Sequence, residues 1–365
     1  MHRFAFLMFL LVAFPACAAQ PATDQAEVEV APPNIILFLV DDMGWQDTSV
    51  QFGPERTFWN DHYRTPNMQR LADRGVKFTN AYASSPVCSP TRCAILTGQN
   101  PARTGITDWV GHGQSGNDQL RSPEWTAQGL QPGDGNTTLP QVLRDAGYLT
   151  AHVGKAHFGS GPGADPTNLG FDINIGGSHV GSPRGKGEQG AYFAPFPENI
   201  RPGMAHYPAG TYITDALTQE AIGVIDRATD AGKPFFINLA HYAVHTPIQA
   251  KQELEVRYRK KAKTTAQRNA KYAAMIHSVD DSVGRVCATL DRLGIRKNTL
   301  IVFTSDNGGL QGPTNNTPLR SGKGYPYEGG IRVPMIANWP GVVAVGETQT
   351  PATSVDVLPT VAEAV

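Results

Sequence analysis

Four short runs of apolar residues, each broken off by an abrupt polar cluster, constrain this chain more than any other feature. NIILFLV (34–40) stops at Asp41-Asp42-Met43-Gly44, and TLIVFTS (299–305) stops at Asp306-Asn307-Gly308-Gly309. PFFINLA (234–240) leads into His241-Tyr242-Ala243-Val244-His245-Thr246-Pro247, and YLTAHVG (148–154) leads into Lys155-Ala156-His157. Runs that do not alternate apolar with polar belong to strands covered on both faces, as in a parallel sheet. Between them, TPNMQRLADRG (65–75), TTLPQVLRDAG (137–147), TDALTQEAIGVIDRA (214–228) and AKYAAMIHSVDDSVGRVCATLDRLG (270–294) carry helical spacing, and three end at glycine. The alternation predicts an α/β fold, a mainly parallel or mixed central sheet flanked by helices. In such sheets ligands bind beyond the carboxyl ends of the strands. Each polar cluster alone reads as a turn or a helix cap; four at one sheet edge point to one shared site.

The convergence has an electrostatic consequence. Two like charges ~4 Å apart repel by about 4 kcal/mol at an effective dielectric of 20. Asp41, Asp42 and Asp306 brought together therefore need a cation or must bind protons. With the Asn307 amide they offer only oxygen donors, a set that selects Ca²⁺ or Mg²⁺ over zinc. Arg92, Lys155, His157, His245 and Lys323 (in RSGKGYPYEGG, 320–330) add positive charge around them. A metal with fixed cations holds a tetrahedral oxyanion and stabilises charge as a bond to it breaks. The substrate is expected to carry sulfate or phosphate.

The amino terminus, MHRFAFLMFLLVAFPACAAQ, places Arg3 before an apolar run that ends at Phe14. That run is shorter than the ~20 residues needed to span a bilayer. It reads as an export signal over residues 1–19, cleaved near Ala18 or Ala19, with a polar linker over 20–33. Lipid attachment at Cys17 is the alternative, although Phe14 and Pro15 fit that motif poorly. No other apolar stretch is long enough to cross a membrane, so the protein is expected to be periplasmic or secreted. The formal net charge of −1, with no basic stripe, argues against nucleic-acid binding.

Once Cys17 is assigned to the signal, Cys88, Cys93 and Cys287 remain, an odd number in an oxidising compartment. In AYASSPVCSPTRCAILTG (81–98), Pro90 suits the first turn of a helix, which puts Cys88 at or beside its amino terminus with Arg92 over the same face. That position suits a group attacking an anion. A buried, inert cysteine is the plain alternative.

Cys88-Ser89-Pro90-Thr91-Arg92, with Thr97-Gly98 downstream, resembles the sulfatase signature Cys-x-Pro-x-Arg. The resemblance continues through NIILFLVDDMG, GKAHFG (154–159), HYAVHTP (241–247), TSDNGG (304–309), GGIRVP (329–334) and SVDVLPT (354–360), in matching order. It implies a formylglycine-dependent, arylsulfatase-like enzyme of the alkaline phosphatase superfamily. Cys88 would be converted by a maturation enzyme to formylglycine, whose hydrated aldehyde attacks sulfur and later expels sulfate. Asp41, Asp42, Asp306, Asn307 and the residue-88 side chain would bind Ca²⁺. Arg92 would hold the hydrated aldehyde, and Lys155 and Lys323 would grip sulfate oxygens. His157 would assist turnover, and His245 would protonate the leaving oxygen. Ser178 or His179, in GGSHVGSPRGKG, would supply a further substrate contact.

Two departures stand out. Ala156 occupies a position where the family usually has Trp, which would widen the site or change the packing behind Lys155. The family also continues past SVDVLPT into a smaller carboxyl-terminal domain, so the expected organisation is a catalytic α/β domain over 34–365 with that domain absent from this chain. Expected substrates are sulfated carbohydrates or aryl sulfates. The Gly-rich loop from Ser178 to Gly190, with Arg184 and Lys186, lines a substrate cleft or is simply solvated. Two other functions compete. A phosphoester hydrolase of the same superfamily would use Ser or Thr and two zinc ions, whose extra ligands are not recognisable here. A non-catalytic exported binder of sulfated glycans would keep the pocket without turnover.

Overall fold

In the computed structural model the described residues are 31–111, 128–183, 191–200, 202–262 and 269–365. The export signal, Cys17, nearly all of the linker, Arg184 and Lys186 lie outside them. Ten strands occur among the described residues: β1 Asn34–Val40, β2 Val76–Phe78, β3 Ala81–Tyr82, β4 Leu149–Gly154, β5 Ile173–Ile175, β6 Phe235–Ala240, β7 Thr299–Ser305, β8 Met335–Asn338, β9 Gly346–Thr348 and β10 Ala352–Thr353. Eight form one sheet in the order β5-β4-β6-β1-β7-β8-β2-β9, and β10 pairs with β3. Strands β5, β4, β6, β1 and β7 are mutually parallel; β8 runs antiparallel to both β7 and β2.

The four apolar runs are the four central strands β4, β6, β1 and β7. Alternate residues of β1 feed two cores, as expected of a strand covered on both sides. Ile36, Phe38 and Val40 pack with the helices Ile213–Asp230 and Ala270–Arg292. Ile35, Leu37 and Leu39 pack with the helices Cys88–Thr97, Leu139–Asp145 and Val357–Ala364. The four helices read from the sequence form at Pro66–Asp73, Leu139–Asp145, Ile213–Asp230 and Ala270–Arg292. No helix among the described residues is long and apolar enough to cross a membrane.

Register carries the polar clusters to one edge. Val40 pairs with Ser305, and Leu39 with Ala240, so β1, β7 and β6 end together. The next amides continue the alignment: Asp306 N–H donates to Val40 O (3.1 Å), His241 N–H to Leu39 O (2.9 Å) and Lys155 N–H to Ala240 O (2.7 Å). All four clusters thus leave adjacent strands within one residue of each other.

Candidate active site

Cys88 opens the helix Cys88–Thr97, with Val87 extended ahead of it and Gly98 closing the helix in a left-handed conformation at φ +63°. Thr91 fixes the approach: its hydroxyl donates to Ser85 O (3.1 Å) and accepts from Ser85 N–H (3.0 Å). The Cys88 thiol is 3% exposed and points at Asp41, 3.8 Å from Oδ1. Ligand atoms of Asp41, Cys88 and Asp306 lie within 4.8 Å of one another, and so do those of Asp42, Cys88 and His245.

Every carboxylate of the cluster has a cation against it. Lys155 Nζ is 2.7 Å from Asp41 Oδ2, Lys323 Nζ is 2.6 Å from Asp42 Oδ1, and Arg92 Nε is 2.8 Å from Asp306 Oδ2. Arg92 also donates to Lys155 O (2.7 Å), while its Nη2 has no hydrogen-bond partner. Burial pushes the Asp41 carboxyl up, with Lys155 opposing. At Asp42 burial acts the same way but is outweighed by Lys323, His245 and Lys155, which hold the carboxyl well below its ordinary range. Asp306 is likewise lowered, Arg92 and Lys155 overcoming burial. Burial raises the Cys88 thiol to about 11 against the pull of Lys155 and Lys323, so at neutral pH it is a thiol and not a thiolate.

Asp42 adopts the left-handed region at φ +63°, a conformation that costs a non-glycine residue on the order of 1–3 kcal/mol. Asp306 Oδ1 holds it there by accepting its N–H (3.1 Å), and Asn307 Nδ2 donates to its Oδ1 (2.9 Å). Beneath lies a buried network absent from the sequence reading. Asp47 accepts from Thr314 Oγ1 (2.5 Å), Tyr272 OH (2.6 Å) and Gly44 N–H (2.8 Å), and Tyr272 OH also reaches Asp42 O (3.2 Å).

The two imidazoles have definite tautomers, because a carbonyl only accepts. His157 Nε2–H donates to Val110 O (2.9 Å), which leaves Nδ1 as a buried lone pair with no partner. His245 Nδ1–H donates to Thr246 O (2.8 Å), leaving Nε2 to face Asp42 at 3.9 Å. Burial, reinforced by Lys155 and Lys323, pulls His245 down to about 4. His157 is also held well below its ordinary value, by burial and then Lys155.

A cavity of about 470 Å³ opens over this floor, lined by Cys88, His157, His245 and Lys323 below and by Val87, Trp109–Gly111 and His179–Ser182 around the rim. His179 therefore reaches the cavity. Ser178 serves the backbone instead: its carbonyl accepts His157 N–H (2.9 Å) and its hydroxyl accepts Val180 N–H (3.1 Å). Ala156 is not among the lining residues; it is fully buried in the core beside Phe158 and Leu130, so its effect falls on packing and not on the width of the site. A larger concavity of about 730 Å³, flanked by Arg70, Cys287 and Arg296, shares no residue with the cluster.

The sulfatase family model matches residues 33–365. The chain belongs to the sulfatase family. The chain is 34% identical over 336 residues to N-acetylgalactosamine-6-sulfatase of Mus musculus, an alignment covering 87% of this chain and 59% of that relative. It thus spans less than two thirds of that relative's length. It is 32% identical over 419 residues to a sulfatase of Formosa agariphila, covering 98% of this chain and 72% of the relative. Among solved structures, Ps i-CgsB in complex with k-i-k-neocarrahexaose superposes with a TM-score of 0.74 at 32% identity, over 91% of this chain and 72% of that one.

The donor set of this chain fits the divalent ion that its family implies. Three buried carboxylates converge with an amide oxygen, Asn307 Oδ1, that is buried and has no hydrogen-bond partner. An unpaired buried acceptor is costly and rare in a finished structure, and a hard cation satisfies it.

Proposed function

We propose that residues 34–365 form the catalytic α/β domain of an exported enzyme that hydrolyses sulfate esters of carbohydrate, using formylglycine derived from Cys88 and a bound Ca²⁺. The observation that carries this reading is the meeting of Cys88 with three buried carboxylates and three buried or half-buried cations at the floor of one cavity.

Asp41, Asp42, Asp306, Asn307 and residue 88 would hold the ion. When present, Ca²⁺ would polarise the sulfuryl oxygens and formylglycine would supply a hydrated aldehyde as nucleophile. The remaining chemistry belongs to the side chains. Arg92, through its unpartnered Nη2, orients the oxygen carried by residue 88. Lys155 and Lys323 turn from Asp41 and Asp42 to the sulfate oxygens and stabilise the charge that builds there. His245, its orientation fixed by the Nδ1–H bond to Thr246 O, presents Nε2 to the leaving oxygen and, once protonated there, gives it that proton. His157, with Nδ1 free and Nε2 tied to Val110, accepts the proton released on turnover.

A carbohydrate substrate is supported by the relatives: one is named for N-acetylgalactosamine 6-sulfate hydrolysis, and another was crystallised with a neocarrahexaose. A calcium-rich compartment agrees with the all-oxygen donor set. The deciding experiment is the mass of the peptide carrying residue 88, from protein made in its native host, together with assay of sulfate release from a sulfated-glycan panel. Formylglycine with sulfate release supports the reading. Unmodified cysteine from a host able to convert it, with glycan binding but no release, would favour a non-catalytic binder.

A further inference from the structure

The proposed chemistry gives His245 a proton to deliver, and delivery depends on how the backbone beneath that side chain is held. His245 closes a turn, its N–H donating to Tyr242 O (3.0 Å). One hydroxyl clamps that turn from outside. Tyr192 OH lies 2.7 Å from Tyr242 O and 2.7 Å from His245 O, its single proton shared between the two carbonyls. The peptide groups on both sides of the His245 Cα are therefore fixed, one by Tyr242 and the other by Tyr192. Tyr192 is itself fully buried and seated on three sides. Its N–H donates to Gln249 Oε1 (3.1 Å), its carbonyl accepts from Ile213 N–H (2.9 Å), and its ring stacks on Tyr212 with 5.9 Å between centroids. Burial raises its phenol well above the ordinary value, so the hydroxyl is a donor throughout the neutral range. Tyr192 is not among the residues lining the cavity, so it bears on the reaction through the turn it holds.

We propose that Tyr192 is a positioning residue for His245, clamping the turn Tyr242–His245 so that Nε2 meets the leaving oxygen. The proposal rests on the sulfate-ester reading, with His245 as proton donor. As the S–O bond breaks, its electron pair passes to the leaving oxygen. An alkoxide needs the His245 proton at that moment, whereas 4-nitrophenolate leaves unaided as a stable anion. A buried tyrosine that merely satisfies its own hydroxyl would serve stability alone, and leaving-group dependence separates the two roles.

The test compares wild type, Tyr192→Phe and His245→Ala on methyl α-galactopyranoside 6-sulfate and on 4-nitrophenyl sulfate, reading kcat/KM, which ends at S–O cleavage. Tyr192→Phe lowers kcat/KM about ten-fold or more on the pyranoside sulfate and within about two-fold on the aryl sulfate. His245→Ala shows the same asymmetry more strongly. If Tyr192→Phe lowers both esters alike, or neither, while His245→Ala keeps the asymmetry, the positioning role is overturned. Hydrogen exchange at the His245 amide, in the same proteins and with Tm recorded, judges the clamp without reference to turnover. Faster exchange in Tyr192→Phe sustains it, and unchanged exchange overturns it. Absence of asymmetry in His245→Ala would sink His245 as donor, and absence of sulfate release by wild type would sink the hydrolytic reading; in either case exchange still decides whether Tyr192 holds the turn.

Discussion

Replacing Lys155 by methionine removes a charge and little volume, and so isolates what the ammonium does. Lys155 Nζ lies 2.7 Å from Asp41 Oδ2, with both side chains at 0% exposure. Breaking one partner from a buried pair costs about 3–5 kcal/mol, because the other charge stays out of water without compensation. A chain of roughly 330 folded residues unfolds with an entropy of about 0.7 kcal/mol per kelvin, so the expected fall in Tm is roughly 4–7 °C. The sign with pH follows from Asp41, whose carboxyl burial already pushes up. Without Lys155 it rises further, so the deficit is small while Asp41 is protonated in both proteins and grows as pH rises through the raised wild-type value, where the wild type ionises and the variant does not. Ca²⁺ is expected to narrow the gap, since an ion at 100 times its Kd adds about 2.7 kcal/mol and meets no competing ammonium at Asp41 in the variant. Thermal melts at pH 5 and pH 8, each with EDTA and with 10 mM Ca²⁺, measure all of this. A deficit below about 1 kcal/mol, or one that Ca²⁺ leaves unchanged, would refute the reasoning.

Three other perturbations read different parts of the site. A Cβ on Gly181 would stand 2.4 Å from His157 Cε1 and 2.7 Å from Nδ1, so Gly181→Ala is expected to cut kcat about ten-fold or more by tilting that ring, with little change in Tm; a normal kcat would show that the orientation of His157 is unimportant. Tyr272→Phe removes the donor to Asp47 and Asp42 O and is expected to cost about 1–3 kcal/mol in denaturant unfolding and to weaken Ca²⁺ binding measured by calorimetry. His152 donates Nε2–H to Gly154 O (3.0 Å) and accepts Asn238 Nδ2–H at Nδ1 (3.2 Å), and burial lowers it to about 3. Its stabilising effect is whole above the unfolded value near 6.5 and is lost as pH falls toward 3, about 2 kcal/mol of it by pH 5. Tm followed against pH for wild type and His152→Asn should show the variant with the shallower acid limb, and parallel limbs would exclude His152 as the group responsible.

What the sequence disclosed was set by how local the signal is. Asp41, Lys155, His241 and Asp306 each follow directly from an apolar run, so recognising the strand placed the residue. Cys88 was legible through Pro90, two positions on, which marks a helix start. The partners supplied by long closures were not. Tyr272 and Asp47 are 225 positions apart, and no periodicity links them. Strands β2, β9, β3 and β10 run only two or three residues, too short for any pattern, and exist because partners far away in the chain complete their ladders. The rim residue Gly181 sits in a loop whose only sequence signal is a lone glycine, and its meaning comes from His157, which the sequence does not connect to it. Ser178 and His179 stood together as one expectation, and the chain divides them, one serving a backbone and the other reaching the cavity.

The pairing of each carboxylate with its own cation separates assembly from loading. Lys155, Lys323 and Arg92 match the charges of the three carboxylates from within the fold. An ion taken up between Asp41 and Asp42 competes with those two ammonium groups and releases them. Released, they are free for an anion, and an anion that draws them away relieves the ion of its competitors. Affinity for either guest is then raised by the other by the same factor, as linkage requires of any two ligands sharing one equilibrium. On the calcium reading proposed above, such a chain would fold where calcium is scarce and bind anions strongly only where calcium is plentiful.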